Sequence, residues 1–352
     1  MRKYRSFRAL NGKVSFLIDH KAVNTLLLLS SVAATVFVVS AGLGEMKISP
    51  VSVLQVFFGG GSDMDRLVVQ SFRLPRIIVA LMVGMGLAVA GGLLQGMIRN
   101  PLASPDILGI TGGAAVAVVG FLAIFSDESN ALTVSIKWLP VAAFIGAAVV
   151  ALLVYFLAWK KNGVSPIRLV LIGIGISTLM QALTTLLMIL GPIYRASQAN
   201  IWITGTVHGS NWSEVKILIP LIISLIVLAF IMARTLNIQE LGDEIATGVG
   251  GRVQKQRFIL LMISTALIAS SVAFAGGIGF VGLMAPHMAR RLVGSAFGAL
   301  LPVSALIGGI LVMGADLIGR TMFSPLEVPA GVFTAAIGAP YFIYLLFKTR
   351  NL

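Results

Sequence analysis

Nine stretches of this chain run apolar and charge-free at about bilayer length: Val23–Gly44, Ile77–Ile98, Ile107–Ser126, Trp138–Trp159, Leu169–Tyr194, Ile217–Ala233, Phe258–Ala289, Leu292–Ala315 and Val328–Phe347. A helix needs about 20 such residues to cross the hydrocarbon core. The seventh run is too long for one crossing, and "AGGIGF" at Ala275–Phe280 offers a break. Splitting it into a full helix at 258–275 and a shorter one at 281–292 predicts ten spans. Soluble domains are roughly a quarter charged; this chain is 11% charged and 57% hydrophobic. It is too apolar to cover itself in water, so the sequence predicts an all-α, multi-pass membrane protein.

Charge then predicts orientation. With ten spans both termini share a side. One side would hold the six basic residues before Val23 with Arg99, Lys160, Lys161, Arg168, Arg234, Arg252, Lys255, Arg257, Arg290, Arg291, Lys348 and Arg350, 18 in all. The other would hold Lys47, Arg66, Arg73, Arg76, Lys137, Arg195, Lys216 and Arg320, eight in all. Lys and Arg accumulate on the cytoplasmic side, which places both termini inside. The same rule accounts for 26 basic against 13 acidic residues without a nucleic-acid partner.

The organisation read from this is a basic cytoplasmic segment, 1–22, followed by one transmembrane domain, 23–350. The N-terminal segment lacks a small-residue cleavage site and reads as retained rather than as a signal peptide. With no cysteine, disulfides and thiolate chemistry are excluded. The three histidines, His20, His208 and His287, stand far apart in sequence and suggest no metal site. His287 reads as a hydrogen-bonded packing residue. No G-x-x-x-x-G-K-[ST] loop is present, so ATP-driven work would need another subunit. Clustered His, Asp or Glu for a membrane enzyme are missing as well. Asp316 is the acid most nearly inside an apolar run; buried ionisable groups often mark ion paths, but Arg320 one turn on reads as its partner. Gly191–Glu214 predicts an extended outer segment with a short interfacial helix, Trp202 and Trp212 lying at headgroup level. "LAVAGGLLQG" and "SVAFAGGIGF" share small residues around a glycine pair, a faint sign of inverted repeats.

Four stretches stand together: "RLPRIIVALMVGMGLAVAGGLLQGMIRNPLASPDILGITGG" (73–113), "LGDEIATGVG" (241–250), "AGGIGFVGLMAPHMARRLVG" (275–294) and "LLPVSALIGGILVMGADLIGRTMFSPLEVPAGVFTAAIGAP" (300–340). In order and spacing the chain resembles the iron-siderophore and vitamin B12 permease family of bacterial ABC importers, over nearly its whole length after the N-terminal segment. The resemblance implies a type II importer permease architecture in the bacterial cytoplasmic membrane. It implies a second permease subunit, identical or paralogous, two cytoplasmic ATPases that use ATP and Mg, and an extracytoplasmic binding protein. No cofactor in this chain is implied, and the expected cargo is a ferric siderophore. A cobalamin or haem importer is the alternative within the class, and an ion-coupled secondary transporter the one outside it. For the latter the spans offer almost no relay residue apart from Asp316.

Site residues follow the same way. Arg73, Arg76 and Arg320 lie at outer helix ends, where arginines commonly snorkel to headgroups. The resemblance implies instead that they meet glutamates of the binding protein, with charge steering the docking. In "LGDEIATGVG" the glycines permit tight turns and composition alone reads as a solvated loop. By resemblance Leu241, Gly242, Asp243, Glu244, Ala246 and Gly248 belong to paired short helices that seat in the ATPase. Thr247 and Val249 depart from the basic residue and the leucine common there. "RNPLASPDILGITGG" reads as a connecting turn held open by Pro101 and Pro105. The inner gate implied by the family falls on "NGVSPIR", with Asn162, Gly163, Ser165 and Pro166 as its residues. Small-residue faces throughout permit close packing and sliding of helices.

Overall fold

The structure, a computed structural model, describes residues 4–9, 14–126, 133–160, 163–191 and 193–349. Asn162 of the expected gate lies outside the described residues. Two strands, β1 (Tyr4–Ala9) and β2 (Val14–Asp19), pair antiparallel before the first helix. The sequence reading has no strand there. Asp19 then caps α1 (His20–Gly42) by accepting from the Lys21 amide at 2.8 Å.

The chain continues through α2 (Pro50–Phe57) and α3 (Asp63–Arg66), which runs by a π-helical turn, Leu67–Arg73, into α4 (Leu74–Ile98). The helix therefore begins well before the expected Ile77. Pro75 lacks the amide its turn would use, and the wide π turn immediately precedes it. Next come α5 (Ile110–Ile124), α6 (Leu139–Ala158) and a small hairpin of β3 (Trp159–Lys160) and β4 (Gly163–Val164). The following elements are α7 (Pro166–Leu190), α8 (Ile193–Thr204), α9 (Trp212–Ile231), α10 (Ala233–Glu240) and α11 (Asp243–Gly248). Last are α12 (Val253–Ala275), α13 (Val281–Val293), α14 (Phe297–Thr321) and α15 (Ala330–Thr349).

Each of the ten expected runs is helical. Seven helices among the described residues are long and apolar enough to cross a membrane, and α5 and α15 are shorter apolar ones. The break expected in the seventh run is present. Gly276 closes α12 at φ +68° and Phe280 opens α13 at φ +66°, both in the left-handed region that stops a helix. At 13 residues α13 is about 20 Å long, well short of the hydrocarbon thickness. The outer segment holds the expected short helix, α8. Trp212 starts α9 and donates its indole N–H to the Gln70 carbonyl at 2.8 Å.

Helices α4, α12 and α14 are mostly buried, while α1, α7 and α9 keep most of their surface outward. Glycine decides which helices come close. A Cβ on Gly84 of α4 would lie 2.2 Å from the Gly308 carbonyl oxygen of α14, and a Cβ on Gly308 2.2 Å from that of Gly84. Neither site admits a side chain, so the two backbones touch. With 25 residues α4 spans roughly 37 Å. Arg73 and Arg76 stand at one end and Arg99 just past the other. The two candidate sites are thus separated by the full length of the most buried helix.

Candidate functional site

At the Arg73 end, three arginines and two acids form a rim. Arg73 is 6% exposed and donates to the carbonyls of Ala41 (2.7 Å), Gly42 (3.0 Å) and Met46. Arg320, also 6% exposed, donates to Leu43 (2.8 Å) and Ser40. Together they satisfy the last carbonyls of α1, which a helix end leaves without intrahelical partners. Arg76 makes a forked pair with Asp316, Nε to Oδ1 at 2.9 Å and Nη2 to Oδ1 at 2.8 Å, and reaches Glu327 at 2.9 Å. Glu327 in turn meets His208 Nδ1 at 2.6 Å. The sequence pairs Asp316 with Arg320; the structure keeps that contact at 3.6 Å but gives Asp316 mainly to Arg76. A buried carboxylate needs the closer, bidentate partner. The solvent-facing edge consists of His208 and Glu327, neither of which the sequence reading singles out.

At the Arg99 end, α10 and α11 form a knuckle around Gly242, whose φ of +121° excludes most side chains. Leu241, Glu244, Ile245, Gly248 and Val249 face outward, while Ala246 is buried. Asp243 turns back toward the bundle. It pairs with Arg99 at the end of α4, and both its oxygens accept from Arg257, near the start of α12, at 3.1 and 3.2 Å. Glu240 binds Arg290 at 2.8 Å, tying α10 to α13. Of the six expected coupling residues, Leu241, Glu244 and Gly248 are accessible, Asp243 and Ala246 anchor, and Gly242 turns the chain.

Gly163, Ser165 and Pro166, the described residues of the turn expected to form the gate, lie beside this knuckle. Ser165 accepts from the Arg168 amide and caps α7, with Pro166 at its first position. Gly163 has φ +102°, and a Cβ there would meet the Gln254 amide group at 2.3 Å. Gln254 Oε1 accepts from the Val164 amide at 3.0 Å, and Arg257 Nη1 donates to the Val164 carbonyl at 2.7 Å. Gln254 and Arg257 are one turn apart on α12, so a single helix turn grips both backbone groups of Val164. The sequence reading counts Arg99 and Arg257 only as topology charges. Their partners lie more than ten residues away in sequence or on the chain's backbone, where no local signal exists.

Between the two ends the turn 99–109 behaves as expected. Arg99 adopts φ +56° and ends α4, and Asn100 Oδ1 accepts from the Leu102 amide. The Asp106 carbonyl accepts from the Ser177 hydroxyl of α7 at 3.0 Å, which seats the turn against that helix. His287 departs from expectation. Among the described residues neither ring nitrogen has a hydrogen-bond partner, and the ring packs edge-on to Tyr341 at 6.0 Å. Among the described residues no group of three His, Asp or Glu could hold a metal ion.

Residues 31–348 match the FecCD transport family. The probable siderophore transport system permease protein YfhA of Bacillus subtilis is 62% identical over 95% of this chain and 97% of its own. The iron(3+)-hydroxamate import system permease protein FhuG of the same organism is 47% identical over 90% and 94%. In solved structures, an inward-facing chain assigned to the metal-chelate type of ABC transporter superposes with a TM-score of 0.80. It is 29% identical, and the match covers 93% of this chain and 99% of that one. A multi-pass helical bundle with an exposed knuckle at one end and an arginine-acid rim at the other, matched over nearly its whole length, makes this chain a member of the FecCD transport family and a permease subunit of an ABC importer.

Proposed function

We propose that this permease carries ferric siderophores across the bacterial cytoplasmic membrane, as one of two identical or paralogous subunits around a shared path, with residues 23–350 as a single permease domain. The observation that carries the reading is the knuckle. Leu241, Ile245 and Val249 are 66%, 52% and 66% exposed beside Glu244, and a contiguous apolar tip on a polar end of the chain fits a protein partner. That partner is the cytoplasmic ATPase, which uses ATP and Mg; this chain then needs no cofactor of its own. The gate is the turn at Asn162, Gly163, Ser165 and Pro166.

The opposite rim receives the binding protein. Arg73 and Arg320 are spent on α1 carbonyls, so in this reading they build the rim, and Arg76 with Glu327 and His208 bears its charge. The names of the relatives, siderophore and iron(3+)-hydroxamate permeases, support a ferric chelate as cargo.

Proteoliposomes test the whole assignment. The chain assembled with its ATPase and binding protein should take up radioactive ferric hydroxamate only with ATP on the ATPase side, undiminished by a protonophore. Accumulation against a gradient by this chain alone would overturn it.

A further inference from the structure

The knuckle and the gate turn are not neighbours in sequence, yet one side chain holds both. Arg257 is 2% exposed. Its Nη2 binds both oxygens of Asp243, the first residue of α11, and its Nη1 binds the Val164 carbonyl in β4. A guanidinium is rigid and planar, so moving the acid at one edge of the fork moves or breaks the contact at the other. Lysine has donors enough but no rigid fork, so it would couple the two acceptors less stiffly. Gln254 closes the arrangement by accepting from the Val164 amide, with its amide group packed where Gly163 has no side chain. Arg99 also donates to Asp243, on the Oδ1 it shares with Arg257, and anchors it to the end of α4.

We propose that Arg257 is the positioning residue that transmits displacement of the α10–α11 knuckle to the inner gate turn, with Gln254 keeping that turn in register. The proposal rests on the reading of the knuckle as the ATPase seat and of the turn at 163–166 as part of the gate. It adds the physical connection between them. A displaced knuckle pulls Asp243, the Arg257 fork follows, and the Val164 backbone is released or drawn with it. Without the fork, the ATPase would still seat on Leu241, Glu244, Ile245 and Val249, but its motion would not reach β4.

The test uses the complete transporter, permease with ATPase, in nanodiscs. The natural chain has no cysteine, so Ser165→Cys, at an exposed position, gives one maleimide-reactive site in it. Labelling is timed without nucleotide and with ATP in the absence of magnesium. The parent should show about a five-fold difference in labelling rate, the lower bound of ordinary coupling between sites. Arg257→Gln should bring the ratio close to one while the ATPase still copurifies and hydrolyses ATP, and Arg257→Lys should fall between. A parental ratio in Arg257→Gln with the ATPase bound would overturn the proposal. Loss of copurification in Glu244→Arg but an unchanged ratio in Arg257→Gln would sink the transmission and leave the seat intact. If the ATPase does not bind the parent at all, the underlying reading fails instead. Should Arg257→Gln not assemble, Gln254→Ala decides on the same readout, since its side chain is only half-buried: a reduced ratio supports the connection and a parental one refutes it.

Discussion

Asp316 is the most constrained side chain in the rim. It is 3% exposed and stabilised by the fork of Arg76. Removing one member of a buried pair costs about 3–5 kcal/mol because the other charge is stranded. Asp316→Ala should therefore lower the detergent melting temperature sharply, and Arg76→Met combined with Asp316→Leu should recover much of the loss. Equal melting temperatures for Asp316→Ala and the double variant would show that the pair is not coupled. Arg73→Glu belongs to the same scale. It would set a carboxylate against the carbonyls of Ala41 and Gly42, so the thermal loss should appear in the isolated chain with no binding protein present.

Helix elements are decided by glycine contacts. A methyl group on Gly84 must displace the Gly308 backbone, which is not a flexible neighbour, and overpacking of this kind costs about 1–3 kcal/mol. Gly84→Ala should reduce thermal stability accordingly. Gly314, on α14 with nothing near its absent side chain, is the control. Gly314→Ala in the isolated chain should be neutral or stabilising by up to about 1 kcal/mol, from helix propensity alone. Parallel melting curves of the two variants check both. The same contacts explain why α4 and α14 form the centre although their sequences are no more apolar than that of α6. Apolarity places a helix in the membrane, but small residues place it against another helix.

Across the molecule, two polar ends lie at the termini of α4, and the bundle between them carries the buried ion pair of Asp316 at its rim and, among the described residues, none that joins the ends. Communication between them then belongs to movement of helices, which the backbone contacts at Gly84 and Gly308 allow without large side chains to unlock. Apolar runs, basic asymmetry and the "AGGIGF" break were enough to read ten helical segments and the division of α12 from α13, because crossing a bilayer imposes a length and a hydropathy that any window reveals. The knuckle was legible only through the resemblance to known permeases, because its glycines and acids by themselves read as a solvated loop. What the sequence could not show is partnership. Arg76 and Asp316 stand 240 residues apart, and Arg257 reaches a backbone carbonyl 93 residues away. Charge pairing and hydrogen bonding act over a few ångströms, so only the packed chain decides which charges meet. Sequence by itself determined that this protein lives in a membrane and where its apolar helices run; tertiary structure alone decided that the rim arginines are held by the chain's own acids and carbonyls, and that Arg257 binds both Asp243 of the knuckle and the Val164 carbonyl.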